Sequence, residues 1–294
     1  MARTKKREDQ ETINMAHSKK NRKESSGKAG AGTGPVSVSL PSFGRPFSDA
    51  QILLFERLKE SLAGFNKGIA GIGTLSEKSV HAVLKSYYAP NEDALEVAIN
   101  GFVADVCDGK EIFEIQTRHF YTMKRKLEAF LPEFDVTIVY PLPVSKTVVN
   151  IDSDTGAVLS RRKSPRKRGI YEIFYELYGI RDYIKDPHLH IRIVSMDVEE
   201  YRYQGLTEKH GRKIRVLSDV VPLHPISETD IFDTRDLMMF VPAELEEEFT
   251  VAEFAASAGI SVDLTRYTLG LLTIAGVLER EKKGRGYIYR TSGP

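Results

Sequence analysis

Cysteine is almost missing from this chain of 294 residues, and long apolar runs are missing altogether. The single cysteine, Cys107, excludes an intrachain disulfide and fits a reducing compartment, so a cytoplasmic protein is expected. No stretch approaches the ~18 consecutive apolar residues of a membrane-spanning helix, and the N-terminus lacks the apolar centre of a secretory signal. Neither a membrane partner nor a secretory route is therefore expected. Charge of one sign is nearly absent too: 42 Lys and Arg against 41 Asp and Glu leave a net +1. Aromatic residues are absent before Phe43, and residues 1–30 hold nine Lys/Arg against four acids. Such text cannot offset chain entropy, so residues 1–44 are expected to be a disordered basic tail, either a source of phosphate attraction or a solubilising arm.

What is present is a 41% hydrophobic chain with ample material for a core. Its most informative segment is Leu95 to Gln116, LEVAINGFVADVCDGKEIFEIQ. It reads as three short strands joined at Asn100-Gly101 and Asp108-Gly109, dipeptides that favour two-residue hairpins. Asp105 and Glu114 interrupt runs that otherwise look buried. A turn at 108–109 pairs Asp105 with Ile112 and Val103 with Glu114, which makes the two acids diagonal neighbours on one face with Gln116 beside them. Two anions so placed repel unless a proton or cation lies between them. Mg²⁺, which takes one or two carboxylates with waters and a phosphate, meets that need.

Upstream, Ser48 caps an expected helix with Ile52, Leu53, Phe55, Leu58 and Leu62 inward. A second helix, about 75–87, stacks Glu77, His81 and Lys85 at intervals of four, either as an exposed face or as further members of the acid site. Downstream, a helix over 120–131 leads to a strand over 136–140 that Pro141 and Pro143 should stop. A hairpin over 147–159 delivers the chain to RRKSPRKR, where Arg161, Arg162, Lys163, Arg166, Lys167 and Arg168 form either a phosphate footprint or a solvated loop. A long strand follows after residue 188. Eight acids within 228–248 against one Arg235 read as a surface linker.

The order Glu77 on a helix, Asp105 on a strand, then Glu114-Ile-Gln116 on the next resembles the acidic helix, Asp and (D/E)-x-K elements of the PD-(D/E)XK nuclease superfamily. The wider text SEKSVHAVLKSYYAP, EIFEIQTRHF, KLEAFL and RRKSPRKRGIYEIFYELY is similar to an uncharacterised family of bacterial proteins built on that core. Over residues 75–200 the resemblance implies an α/β fold, a mixed sheet flanked by helices. It also implies Mg²⁺- or Mn²⁺-dependent phosphodiester cleavage, with Asp105 and Glu114 as metal ligands and Glu77 in support. The lysine of the motif is Gln116 here, so the resemblance implies either a water-orienting Gln or a lysine from the following helix, Lys124 or Lys126.

The last 45 residues resemble a winged helix-turn-helix. That likeness implies Thr265 and Arg266 facing bases, with Lys282, Lys283 and Arg285 on phosphates. The expected layout is a tail (1–44), a nuclease-like domain (45–227), an acidic linker (228–248) and a small winged-helix domain (249–294). Three functions stay open. The chain is a metal-dependent DNA endonuclease, for which cutting both strands would favour a homodimer; a non-catalytic DNA-binding regulator on a degenerate nuclease core; or a protein-docking module.

Overall fold

The computed structural model describes residues 43–68, 79–152, 155–165, 168–204, 208–209, 212–213 and 216–292. The expected disorder of residues 1–42 lies outside them, as do Glu77, Arg166 and Lys167. In chain order the elements are β1 (Arg45–Pro46), α1 (Asp49–Gly68), α2 (Ser79–Tyr88), β2 (Leu95–Ile99), β3 (Phe102–Cys107) and β4 (Glu111–Ile115). Next come α3 (Lys124–Phe130), β5 (Asp135–Asp152), β6 (Val158–Lys163), α4 (Ile173–Leu177), β7 (Leu189–Gln204), β8 (Glu208–Lys209), β9 (Arg212–Lys213) and β10 (Val216–Ile231). The chain closes with α5 (Val251–Ala258), α6 (Val262–Ala275), β11 (Leu278–Lys283) and β12 (Gly286–Thr291).

Among the described residues, eight strands form one mixed sheet in the order β1-β10-β7-β5-β4-β3-β2, with β6 alongside β5. β4, β5 and β7 run parallel, and the β2-β3-β4 meander is antiparallel. Helices cover both faces, because alternate strand residues are apolar on both sides. Val139, Val194, Met196 and Val198 pack with Phe55 of α1 and Val80, Val83 and Leu84 of α2. Ile138, Tyr140, Ile191 and Ile193 pack with Leu127 and Phe130 of α3 and Phe174 and Leu177 of α4. The fold is thus the expected α/β class.

Three expectations about organisation are corrected. Phe43 stacks on Phe240 with ring centroids 5.5 Å apart, and a Cβ on Gly44 would fall 2.5 Å from the Glu228 carbonyl oxygen, so the packed body begins before residue 45. The acidic stretch is not a linker: Glu228 and Asp230 lie in β10, and buried Glu228 accepts hydrogen bonds from Tyr88 (2.6 Å) and Arg45 (3.0 Å). Charge counting missed this because the acids of a paired strand are indistinguishable in composition from those of a loop. Nor do residues 249–294 hold a core of their own. Phe249, Phe254, Leu264, Leu269 and Leu272 share one apolar cluster with Phe174 and Ile138, and residues 42–294 form one compact unit.

The prolines bring a fourth correction. β5 runs straight through Pro141 and Pro143 for 18 residues, paired to β7 throughout with a bulge between Pro143 and Ser145. The Val139 carbonyl points to the β4 side, where it accepts the Gln116 N–H at 2.9 Å. Residues 141 and 143 share its orientation, so their missing N–H groups fall where β4 has ended and β6, paired from Thr147, has not begun. Among the described residues that edge of β5 has no ladder partner from Tyr140 to Ser145. Proline is excluded from strands that need donors on both sides, not from this opening.

Candidate active site

The register of the β3-β4 hairpin decides how the two acids meet. Cys107 pairs with Ile112 and Val106 with Phe113, two steps away from the register expected for a turn at 108–109. The loop residues are Gly109 and Lys110: Gly109 takes φ +93°, and the Asp108 carboxylate accepts from the Lys110 and Glu111 N–H groups at 2.9 Å each. A side chain that caps its own turn shifted the loop by one residue. The Asn100-Gly101 turn is as expected, with both residues at positive φ and Ile99 paired to Phe102.

Continuing the β3-β4 register sets Asp105 opposite Glu114, not diagonal to it. The ladder stops one step short of that pair. Beyond Val106 and Phe113 the carboxylates occupy the backbone groups instead: the Ile115 N–H donates to Asp105 Oδ2 (2.9 Å) and the Asp105 N–H to Glu114 Oε1 (3.3 Å). On the other side of β3, the pairing with β2 skips Glu96 opposite Asp105, and Glu96 has φ +53°. A left-handed non-glycine residue costs about 1–3 kcal/mol and persists only where its surroundings hold it. Here Lys85 of α2, itself buried, grips the Glu96 carboxylate at 2.7 Å.

Each acid has a nitrogen partner from a different helix layer. His81 Nε2 of α2 lies 3.2 Å from Asp105 Oδ2. Lys126 Nζ of α3 donates to both Glu114 oxygens, at 2.9 and 2.7 Å. Burial would raise the Asp105 carboxyl, but the His81 hydrogen bond and charge, the Ile115 N–H and Lys126 together hold it below the ordinary range. Glu114, only 3% exposed, is pushed up to about 7 by burial and by the Asp105 charge, against the pull of Lys126. Among the described residues no group of three or more His, Cys, Asp or Glu comes together as a metal cage. The pair with its two oxygen-rich carboxylates is the set that could hold a hard divalent ion.

The sequence-derived residues divide accordingly. Asp105, Glu114 and Lys126 converge, joined by His81. Lys124 does not: two residues before Lys126, it is bonded to Asp182 at 2.8 Å. The half-buried Gln116 turns its amide to the Arg118 carbonyl at 2.5 Å, not to Glu114. Arg161, Arg162 and Lys163 lie exposed on β6, with Arg161 paired to buried Glu199, and Arg168 bonds Glu172 at 3.3 Å.

The C-terminal pattern forms its two helices and its hairpin, but the expected base-facing residue is corrected. Thr265 is fully buried, and its hydroxyl donates to the Ser261 carbonyl at 3.0 Å. Seven residues of α6 are buried, and a Cβ on Gly270 would meet the Tyr178 ring at 3.4 Å, so the face that carries Thr265 is packed against the rest of the protein. Of the two residues expected at bases, Arg266 alone is exposed. Lys282, Lys283 and Arg285 are exposed at the hairpin tip, with Lys283 3.6 Å from Glu248.

Comparison with known proteins adds a family and no activity. An uncharacterised protein of Treponema pallidum (strain Nichols) is similar, 27% identical over 226 residues that span 76% of this chain and 88% of the relative. No solved structure matches. A family model described as "Domain of unknown function (DUF8091)" matches residues 78–232, from the start of α2 to the end of β10, enclosing His81, Asp105, Glu114 and Lys126. The match covers more than half of the chain, and the protein belongs to that family.

Proposed function

We propose that the protein is a DNA-binding, metal-dependent endonuclease that hydrolyses phosphodiester bonds. The observation that carries the reading is the convergence of two carboxylates and a lysine where the β3-β4 ladder breaks. Asp105 and Glu114 are the residues that would hold Mg²⁺ or Mn²⁺, an ion that supplies polarisation of the scissile phosphate and a more acidic bound water. Burial, with the Asp105 charge beside it, pushes the Glu114 carboxyl up to about 7, and a divalent ion at the pair would favour its charged form. The protein's own groups then have distinct work. His81 and the Ile115 N–H fix one orientation of Asp105. Lys126 places a cation where negative charge would develop on the phosphate, the role expected of the motif lysine. The exposed bases of β6 and of the β11-β12 tip would supply phosphate attraction without sequence preference.

One observation favours the regulator instead. Gln116 stands in the motif position and its amide is engaged with the Arg118 carbonyl, so water activation falls wholly to other groups.

The test incubates the wild-type chain and Asp105→Ala with supercoiled plasmid, linear duplex and branched DNA, in Mg²⁺, in Mn²⁺ and in chelator. Metal-dependent cutting by wild type alone supports the nuclease. DNA binding indifferent to metal, with no cutting of any substrate, selects the regulator.

A further inference from the structure

Pro141 and Pro143, from the opening in the sheet, line a cavity of about 230 Å³. That is many times the roughly 10–15 Å³ that admits one water, so the space suits a group larger than a bare ion. Neither Asp105 nor Glu114 lines it, but chain neighbours of the site residues do: Val80 precedes His81, and Thr117 and Arg118 follow Gln116. Its polar wall carries Arg118, Lys146 and Arg168 against one carboxylate, Glu200. Glu200 is bonded by Lys146 (2.5 Å) and Arg202 (2.7 Å) and held below its ordinary pKa range, burial being outweighed by those two cations. Arg168 reaches Glu172 with one nitrogen, at 3.3 Å, and among the described residues Arg118 enters no ion pair. The rest of its lining is largely apolar and includes Pro141, Pro143, Met196 and Val198. Basic side chains and apolar surface in one cavity are the complement of an anion attached to a flat, weakly polar body.

We propose that this cavity binds a nucleotide through a terminal phosphate, with Arg118, Lys146 and Arg168 on the phosphate and the sugar or base against the proline wall. Among the lining residues Lys146 is held by Glu200 and Arg168 by Glu172, so Arg118 is the cation without a carboxylate partner, and with those two bases beside it the site favours a phosphomonoester dianion over the single charge of an internal diester. The strand presented to the acid pair is then a phosphorylated single-stranded end. As a binding site the cavity stands alone; as the substrate specificity of the acid pair it depends on the nuclease reading.

The test is titration calorimetry on the full chain in chelator with three probes: dAMP, deoxyadenosine and inorganic phosphate. The expected order is dAMP at least tenfold tighter than either of the others, with Arg118→Ala weakening dAMP about tenfold and Arg118→Lys recovering part of the loss. Thermal melting of each variant confirms that it is folded. Equal binding of dAMP and deoxyadenosine, equal binding of dAMP and phosphate, or no effect of a folded Arg118→Ala each overturns the proposal. A parallel cleavage assay compares a single strand bearing a 5′-phosphate or a 3′-phosphate with its hydroxyl counterpart. Binding of dAMP without any cutting removes the nuclease reading and leaves the site; cutting without dAMP binding does the reverse.

Discussion

The break between β3 and β4 and the C-terminal helix pair with its hairpin both carry residues that sequence patterns assign to nucleic acid, and they fold in opposite ways. At the break, charge is taken inside: Glu114 and Lys85 are buried, Asp105 nearly so, and each has a named partner. At the C-terminus, charge stays out and the polar residue expected at bases goes in. Burying a carboxylate is costly enough to require a specific cation within reach, so an acid inside an apolar run locates a site closely. An exposed basic residue costs almost nothing, and its spacing therefore locates little.

The largest effect expected tests the first half of that contrast. Asp105→Ala should abolish cleavage and leave DNA affinity within a few fold, while Lys126→Ala should cost about 10²–10³ in rate, as loss of a donor at developing charge does; collapse of binding along with cutting would mean that these residues serve the fold. Next in size, Phe254→Ala should destabilise the whole protein by about 3–5 kcal/mol in a single melting transition, because Phe254 sits in the shared core. Two separate transitions would restore an independent C-terminal domain.

Glu114→Gln addresses the electrostatic cost. The folded pKa, about 7, stands above the ordinary 4.5, so between those pH values the folded chain binds more protons than the unfolded chain. Stability should fall as pH rises through that window and bear the full cost above it. The substitution should therefore stabilise by on the order of 3 kcal/mol at pH 8, an upper figure because Lys126 loses its partner, and little at pH 4. Urea titrations at the two pH values decide it, and equal effects at both would contradict it.

Smaller is the expected effect at the hairpin tip. Replacing Lys282, Lys283 and Arg285 by Ala should weaken duplex binding about tenfold and lower the salt slope by about 2–3. An unchanged slope would show that the tip does not meet phosphate. Smallest is Lys124→Ala: its exposed pair with Asp182 predicts less than about 1 kcal/mol in stability and unaltered cleavage. A large loss of rate would bring Lys124 back into the site.

Much of this was legible in the chain itself. The meander over 95–115, α3, α5, α6 and the β11-β12 hairpin follow from turn dipeptides, caps and periodicity, and the interruption of apolar runs by Asp105 and Glu114 singles out the acids. The register was not legible, since the Asp108 side chain, by capping the turn, moved the loop one residue on. Lys126 could be named only beside Lys124, because choosing between them needs the helix phase against the sheet. The course of β5 was misread because a proline stops a strand only where a donor is required, and which edges lack a neighbour is a property of the whole sheet. Thr265 was misplaced for a similar reason: an amphipathic helix packed on two sides differs from an exposed one by its neighbours, not by its own text.

Pro141 and Pro143 have a consequence beyond shaping a cavity. Among the described residues this stretch of strand has no neighbour, which makes it a template on which an extended peptide could dock, and the two missing donors leave an intruder only carbonyls to bond at Pro141 and Pro143. Two prolines thus weaken the pairing that would close the slot, whether the strand came from a loop of the same chain or from another copy.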